Sequence, residues 1–556
     1  MSIDVDVTNL VGRRATNRWE RTSVGDILER VTWSQPDTEA IVGWEGAYGD
    51  DRFARLTYRQ SDDVANQVAN GLRAGGLVQG DRVALFCENS VEAYLAKIGI
   101  AKAGMVAVPI NPSLADDVVT HLIEKTEPKF TIVDAELWPR AEKSFGATDL
   151  RPDVTITIGG EPAPGSVSFA EFTAGGSTAE PEVTIHGDDI WQILFTSGTT
   201  ALPKGVMISH SSTMFAAYGF SLTLTRGVHI ESDVRLATFL PIIYHIGDQI
   251  FTFPAFLAGG TLVIGRRPAA DAIAAAISAE RVTALWAGSP AMVNALAETI
   301  TSSPAAFDVS SLRVVVYGWA ALSPTTLDVL KVLCGNELVV VEIFGQTESI
   351  SCHRFWPDKW DDLYRRTAPE HNYVGIPSPL LASMLVDPAG VPIDEPGVPG
   401  EAVYRSPAIT AGYYRDEEAT KDAFRDGWFH SGDSCVYGED GHRIMVDRFK
   451  DIVKSGGENV STIRVESVLV QHPAVQRAAV IGVPHPRWGE AVTAVVVPNE
   501  SGYADERSII AFCRDRLAAF ESPKSVIFAQ DLPETVGGKV LKYKLRKQYQ
   551  GWFETS

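Results

Sequence analysis

The sequence predicts an α/β protein: a large, multi-subdomain N-terminal domain of doubly wound, largely parallel sheets with a β-rich subdomain, followed by a small α+β domain at the C-terminus. Three observations predict it. Short apolar runs of strand type alternate with stretches of helical period along most of the chain. Residues 378–401 turn rich in Pro and Gly, which marks a shift to β structure. Beyond residues 446–451 a tail of roughly 100 residues, the size of a small domain, carries an αβ alternation of its own.

Taken in order, residues 56–58 read as a strand and 62–73 as an amphipathic helix. Residues 82–87 form a buried strand, 92–104 have helical spacing and 105–110 give the next strand. The strand pattern returns at 129–133, 260–264, 312–317 and 337–341, and such alternation implies parallel strands covered by helices on both faces. Residues 162–181, rich in Gly, Ala, Ser and Pro, read as a loop or linker. In the tail, 465–472 and 478–483 repeat the alternation.

A chain of 556 residues with 45% hydrophobic content can bury large cores. Residues 1–6 lack a charged-then-apolar leader, and no apolar run approaches the roughly 20 residues of a membrane span, so the cytoplasm is the expected compartment. Cys87, Cys334, Cys352, Cys435 and Cys513 show neither disulfide nor zinc-ligand spacing. A net charge of -21 argues against nucleic-acid binding, so anionic ligands must be met by local basic groups.

One segment is suited to an anion. The apolar run Ile190-Trp191-Gln192-Ile193-Leu194-Phe195 feeds a turn, Thr196-Ser197-Gly198-Thr199-Thr200-Ala201-Leu202-Pro203-Lys204-Gly205, and Val206-Met207-Ile208 leaves it as a second strand. Hydroxyls, backbone amides freed at Gly198 and the Lys204 ammonium can converge there on phosphate. It is not the Walker loop, because Pro203 precedes the lysine and no helix follows it directly. A second segment, Val339-Val340-Val341-Glu342-Ile343-Phe344-Gly345-Gln346-Thr347-Glu348, is a buried strand whose carboxyl end holds an aromatic, a hydroxyl and a carboxylate. Ligands of open α/β sheets sit at such ends. Phe344 can stack on a base, Thr347 can donate to phosphate, and Glu348 can hold Mg2+.

These segments, together with Ser431-Gly432-Asp433, Asp447-Arg448-Phe449-Lys450-Asp451 and Pro533-Glu534-Thr535-Val536-Gly537-Gly538-Lys539, resemble the ordered signatures of the adenylate-forming superfamily. The superfamily includes acyl-CoA synthetases, luciferases and the adenylation domains of peptide synthetases; the resemblance is closest to acyl-CoA synthetases and spans residues 56–546. It implies a nucleotide site built from Thr196, Ser197, Gly198, Thr199, Thr200, Lys204, Gly318, Trp319, Ala320, Glu342, Ile343, Phe344, Gly345, Thr347, Asp433, Arg448 and Lys539. Within it Asp433 and Arg448 would hold the ribose and Glu348 the metal. The catalytic set would be Lys539, Thr196, Glu348 and His245, and the acyl pocket His245, Gly247, Phe251, Trp319 and Ile343. The implied domains are 1–447, a hinge at 448–451 and a mobile lid at 452–556. Lys450, Lys454, Gly456, Gly457, Glu458 and Asn459 would form the hinge and the loop for the thiol step.

The implied reaction joins a small carboxylic acid to ATP, with Mg2+, giving acyl-AMP and pyrophosphate, and then transfers the acyl group to coenzyme A. A carrier-loading acyl-AMP ligase and a nucleotide-binding homologue without turnover are the rival readings, with a homodimer left open. Ile246 stands where peptide-synthetase domains place an aspartate for the amino group, which disfavours an amino-acid substrate. Trp319 and Ile343 replace residues that are Gly or Ala in most members or often Gly, adding volume to the pocket floor and implying a compact or short acid, or a diverted tunnel. Ala201, Thr462 and Arg464 depart from the family's usual Gly, Pro and Glu. The last change is expected to cost a few tenths of a kcal/mol in helix-dipole pairing.

Overall fold

The computed structural model describes residues 22–196, 203–225, 233–242, 247–368, 371–448, 450–456, 458–499, 505–534 and 540–553. Three sheets organise them. A 7-stranded sheet runs in the order 167–168, 154–158, 130–134, 82–86, 106–109, 190–196 and 204–209. It is parallel except for its last pair, which is an antiparallel hairpin.

The 15-stranded sheet changes character along its width. Strands Glu39–Gly43, Thr261–Ile264, Arg235–Thr238, Ala284–Gly288, Val314–Gly318 and Val339–Gln346 are parallel neighbours. From Ser349–Phe355 onward, through Asn372–Pro377, Arg443–Arg448, Trp428–Tyr437 and Gly400–Arg405, all pairings are antiparallel. The β-rich region expected from residues 378–401 is thus continuous with the parallel sheet. The C-terminal sheet, 5-stranded and mostly antiparallel, uses Val453–Ser455, Glu458–Val460, Val475–His485, Gly489–Pro498 and Ser525–Phe528.

The large core lies between the two N-terminal sheets and takes Leu85, Ala107 and Leu194 from one and Leu236, Trp286 and Val341 from the other. Helix Val91–Lys102 is buried over its whole length between these layers, which is why its sequence shows little polar face. Its start is fixed by Ser90, whose hydroxyl accepts from the Ala93 amide. Helix Tyr58–Ala74 begins with a reciprocal cap between Thr57 and Gln60. The opposite face of the large sheet is covered by Ala270–Glu280, Pro290–Ser302 and Pro324–Cys334.

One expectation needs correction. Residues 162–181 are not a plain linker: Val167–Ser168 adds an edge strand, and Ser168 with Glu171 caps the short helix Phe169–Thr173. Strand Val339–Gln346 runs to the polar end expected of it, because pairing with Ser349–Phe355 keeps Phe344 and Gln346 extended. Among the described residues no helix is long and apolar enough to cross a membrane.

Candidate active site

The hairpin 190–209 sets Thr196 directly opposite Lys204. Both are half-buried, and the Thr196 hydroxyl donates to the Lys204 carbonyl at 3.5 Å. Ser197, Gly198, Thr199, Thr200 and Ala201 lie outside the described residues, between these two ends. A further segment, 409–414, binds the hairpin to the tip of strand Val339–Gln346. The Tyr414 amide donates to Gly205 (2.7 Å) and the Met207 amide to Gly412 (2.9 Å), while the Thr410 amide donates to the Glu348 carbonyl (2.8 Å). Gly412 is required there: its φ is +120°, and a Cβ would meet Thr420 at 2.7 Å.

Tyr413 is the centre of this contact. Its hydroxyl donates to Glu348 Oε1 at 2.9 Å, and its ring lies 4.8 Å from the Lys204 ammonium. One tyrosine therefore links the carboxylate to the lysine, holding both beside the hairpin mouth. Next to them, the register of strands Trp428–Tyr437 and Arg443–Arg448 places Asp433 across from Arg448, with Nε 3.1 Å from Oδ1. The Asp433 carboxylate first, and Glu348 to a lesser degree, hold the Arg448 guanidinium above its ordinary pKa. Gln346 Nε2 donates to the Ser431 carbonyl at 3.4 Å, tying the strand tip to the strand that carries Asp433. Thr347 is half-buried and Gly345 exposed; the half-buried Phe344 ring packs 6.3 Å from His353.

Past Arg448 the chain crosses to the C-terminal sheet. Desolvation, and then the Arg448 charge, push the Lys450 ammonium down to about 8 although the residue is exposed. Beyond it Asp447 Oδ2 accepts from both the amide and the hydroxyl of Thr462, each at 2.6 Å. A proline at 462 would supply neither donor. The same carboxylate sits at the N-terminus of helix Thr462–Leu469, where a negative charge is favourable, and Arg464 pairs with Glu521 at 3.1 Å instead. The dipole loss expected from Arg464 is thereby offset. Lys542 bonds Glu466 at 2.8 Å and also Thr462, and Arg546 pairs with Asp451, so the last helix is anchored at the same crossing.

Lys454, Gly456, Glu458 and Asn459 form an exposed hairpin tip on the C-terminal sheet; Gly457 lies outside the described residues. Lys539 also lies outside them, and its flanks Glu534 and Val540 pair as a bridge.

The residues expected on the acyl side sit on the parallel half. Phe251 stacks on Trp286 at 4.6 Å, Phe220 meets Phe251 edge-on at 5.2 Å, and Trp286 lies 6.0 Å from Trp319. Gly247 is buried at the start of the helical stretch that carries Phe251; His245 lies outside the described residues. Trp319 adopts φ +74°, a left-handed conformation that costs a non-glycine residue on the order of 1–2 kcal/mol. Its indole fills the space over Gly288, where a Cβ would come within 3.3 Å of it. Gly318 has no room for a side chain, since a Cβ would meet the Ile343 carbonyl at 2.6 Å. Ile343 packs into the large core and Ala320 is exposed.

One assigned side chain is elsewhere. Strand alternation turns Glu342 to the opposite face of the sheet from Ile343, where its carboxyl accepts from the Tyr317 hydroxyl at 2.9 Å. Burial there holds that carboxyl well above the usual range. Sequence reasoning missed Tyr413, although the Gly412-Tyr413-Tyr414 run was a visible signal, and missed Trp286, which reads as an ordinary core aromatic.

A large domain of wound sheets with this hairpin at its strand ends, joined to a small α/β domain just after an Asp–Arg pair, is the architecture of adenylate-forming enzymes. The chain belongs to the AMP-binding enzyme family: the AMP-binding enzyme model matches residues 28–414, and the AMP-binding enzyme C-terminal domain matches 464–539. A feruloyl-CoA synthase from an Amycolatopsis species is 33% identical over 504 residues, covering 89% of this chain and 94% of the relative. The long-chain-fatty-acid–CoA ligase FadD13 of Mycobacterium tuberculosis is 34% identical over 500 residues, covering 89% and 93%. Among solved structures, ATP-bound MatB from Rhodopseudomonas palustris superposes with a TM-score of 0.81 at 30% identity, covering 95% of this chain and 99% of that one.

Proposed function

We propose that the chain is an AMP-forming carboxylate–CoA ligase, an acyl-CoA synthetase, acting on a short or compact acid. The observation that carries this reading is the convergence of Thr196, Lys204, Tyr413, Glu348, Arg448 and Asp433 at one edge of the sheets. One ammonium, one guanidinium, hydroxyls and two carboxylates match the needs of a nucleoside triphosphate.

In the first step a carboxylate oxygen attacks the α-phosphorus of ATP and the bond to the bridging oxygen breaks, releasing pyrophosphate. Residues 196–204 grip the β and γ phosphates, Asp433 and Arg448 hold the ribose, and Phe344 lies against the base. Lys539 offsets the charge that develops as the phosphoryl group transfers. In the second step the coenzyme A thiolate attacks the acyl carbonyl and AMP leaves; Gly456, Glu458 and Asn459 serve this step after the C-terminal domain turns about Lys450. The names of the feruloyl and fatty-acid relatives support coenzyme A as the acceptor. Among the described residues no cluster of three His, Cys, Asp or Glu makes a protein cage for a metal. The single carboxylate of Glu348 fits Mg2+, which takes one or two carboxylates with phosphate oxygens and neutralises phosphate charge. Trp319 and Ile343 limit the acid, since close-packed walls cannot absorb an indole.

The test is AMP release by the purified chain with ATP, Mg2+ and coenzyme A across straight-chain and aromatic acids of graded size. Acyl-CoA formed with equimolar AMP from short acids is expected. Lack of acid-dependent pyrophosphate exchange with every acid would overturn the assignment. Release that requires a carrier protein would move the acceptor.

A further inference from the structure

Two buried polar groups near Trp319 have no use in the scheme above. Trp286, 2% exposed, and Thr238, fully buried, are register partners on the parallel strands Ala284–Gly288 and Arg235–Thr238. Register partners of parallel strands project to the same face, and here it is the face of the large core, shared by Leu236, Ile264 and Trp286. Neither Trp286 Nε1 nor Thr238 Oγ1 has a hydrogen-bond partner among the described residues. Buried indole N–H groups usually find an acceptor, and leaving a donor and a hydroxyl unpaired side by side is costly.

Their position is informative. The Trp286 ring contacts both Phe251 and Trp319, the residues proposed for the acyl side, and Leu240 and Trp319 both close over Gly288 at the end of its strand. The pair therefore adjoins the aromatic cluster that the proposed function assigns to the acyl side.

We propose that Trp286 and Thr238 form a polar subsite that reads an uncharged hydrogen-bonding group at the far end of the acid, so that the substrate is a short hydroxy or oxo acid. The indole N–H donates to that oxygen, and the threonine hydroxyl donates to or accepts from it. A second carboxylate is disfavoured, because Phe251 and Trp319 offer it no compensating charge. The inference rests on the carboxylate-activating reading and deepens it.

The experiment compares isosteric acids with the full chain: 3-hydroxypropanoate against butyrate, 4-hydroxybutyrate against pentanoate, and 5-hydroxypentanoate against hexanoate, with dodecanoate as a long control. At the chain length that reaches the subsite, kcat/KM for the hydroxy acid is expected to exceed its partner's by roughly tenfold to a hundredfold, the worth of pairing otherwise unsatisfied groups. Trp286→Phe and Thr238→Val should each cut that ratio about tenfold, mainly through KM, and Thr238→Ser should retain it. Turnover of short acids with no preference at any length, or a ratio unmoved in Trp286→Phe and Thr238→Val, would overturn the subsite alone. Turnover confined to dodecanoate would overturn the short-acid reading with it, and no turnover of any acid would overturn the ligase assignment itself.

Discussion

The proposed nucleotide side and the proposed acyl side of this protein are built by opposite means. On the first, charged and hydroxyl groups from three separate elements meet at a sheet edge: Lys204 from the hairpin, Glu348 from a strand tip, and the Asp433–Arg448 pair from antiparallel strands. On the second, the rings of Phe220, Phe251, Trp286 and Trp319 contact one another in series over the parallel strands, with two buried polar atoms without hydrogen-bond partners described among them and their register neighbour. The difference teaches that the two proposed roles rest on different forces, ionic and hydrogen-bonding geometry on the first side and aromatic volume around one buried polar pair on the second. Substitutions on the two sides should separate cleanly.

The largest effect is expected for Lys539→Ala. Adenylation should fall roughly hundred- to thousandfold, as for loss of one electrostatic group at the reacting centre, while thioester formation from supplied acyl-AMP persists. Equal loss of both half-reactions would remove the domain-alternation reading.

Next comes Asp433→Ala, which removes the proposed ribose acceptor and takes from Arg448 the carboxylate 3.1 Å away. KM for ATP should rise roughly tenfold to a hundredfold with the order of acid preference unchanged. A changed acid preference would mean that the two sides are not independent.

Trp319→Gly is the converse. Longer acids such as octanoate should gain about tenfold in kcat/KM, while KM for ATP stays put. Stability should shift little, because relief of the left-handed strain opposes the loss of indole burial. An unaltered acid range would refute the claim that this indole sets the limit.

The smallest effect concerns Lys450 at the crossing between domains. Its folded pKa of about 8 lies below the ordinary lysine value. Between roughly pH 8 and 10.4 the unfolded chain keeps a proton that the folded chain has released, so stability should rise with pH in that window. Denaturant titrations at both ends of the window should show a shallow rise that Lys450→Met abolishes; exposure of the residue keeps it shallow. A fall in stability across the window would reverse the sign of the shift.

Much of the proposed nucleotide side was legible in the sequence because each part is a short contiguous run whose spacing is fixed by backbone geometry. Thr196 and Lys204 face each other across a hairpin, Phe344 to Glu348 close a strand end, and Asp433 lies on a strand opposite Arg448. Glu342 marks the limit of such runs: membership says nothing about which face a strand residue takes, and its carboxyl turns to Tyr317. The departures at Thr462 and Arg464 were visible as exceptions, but their compensation by Asp447 and Glu521 needed partners 15 and 57 residues away.

By itself the sequence determined the fold class, the order of the elements and the reaction class, since periodicity and local motifs depend on neighbours within a few positions. Only the tertiary structure decided that Tyr413 joins Glu348 to Lys204, that Trp319 adopts φ +74° against Gly288, and that Trp286 and Thr238 stand side by side without hydrogen-bond partners among the described residues. Those are contacts between strands far apart in the chain. Their register is set by how whole sheets pack, which no local pattern encodes.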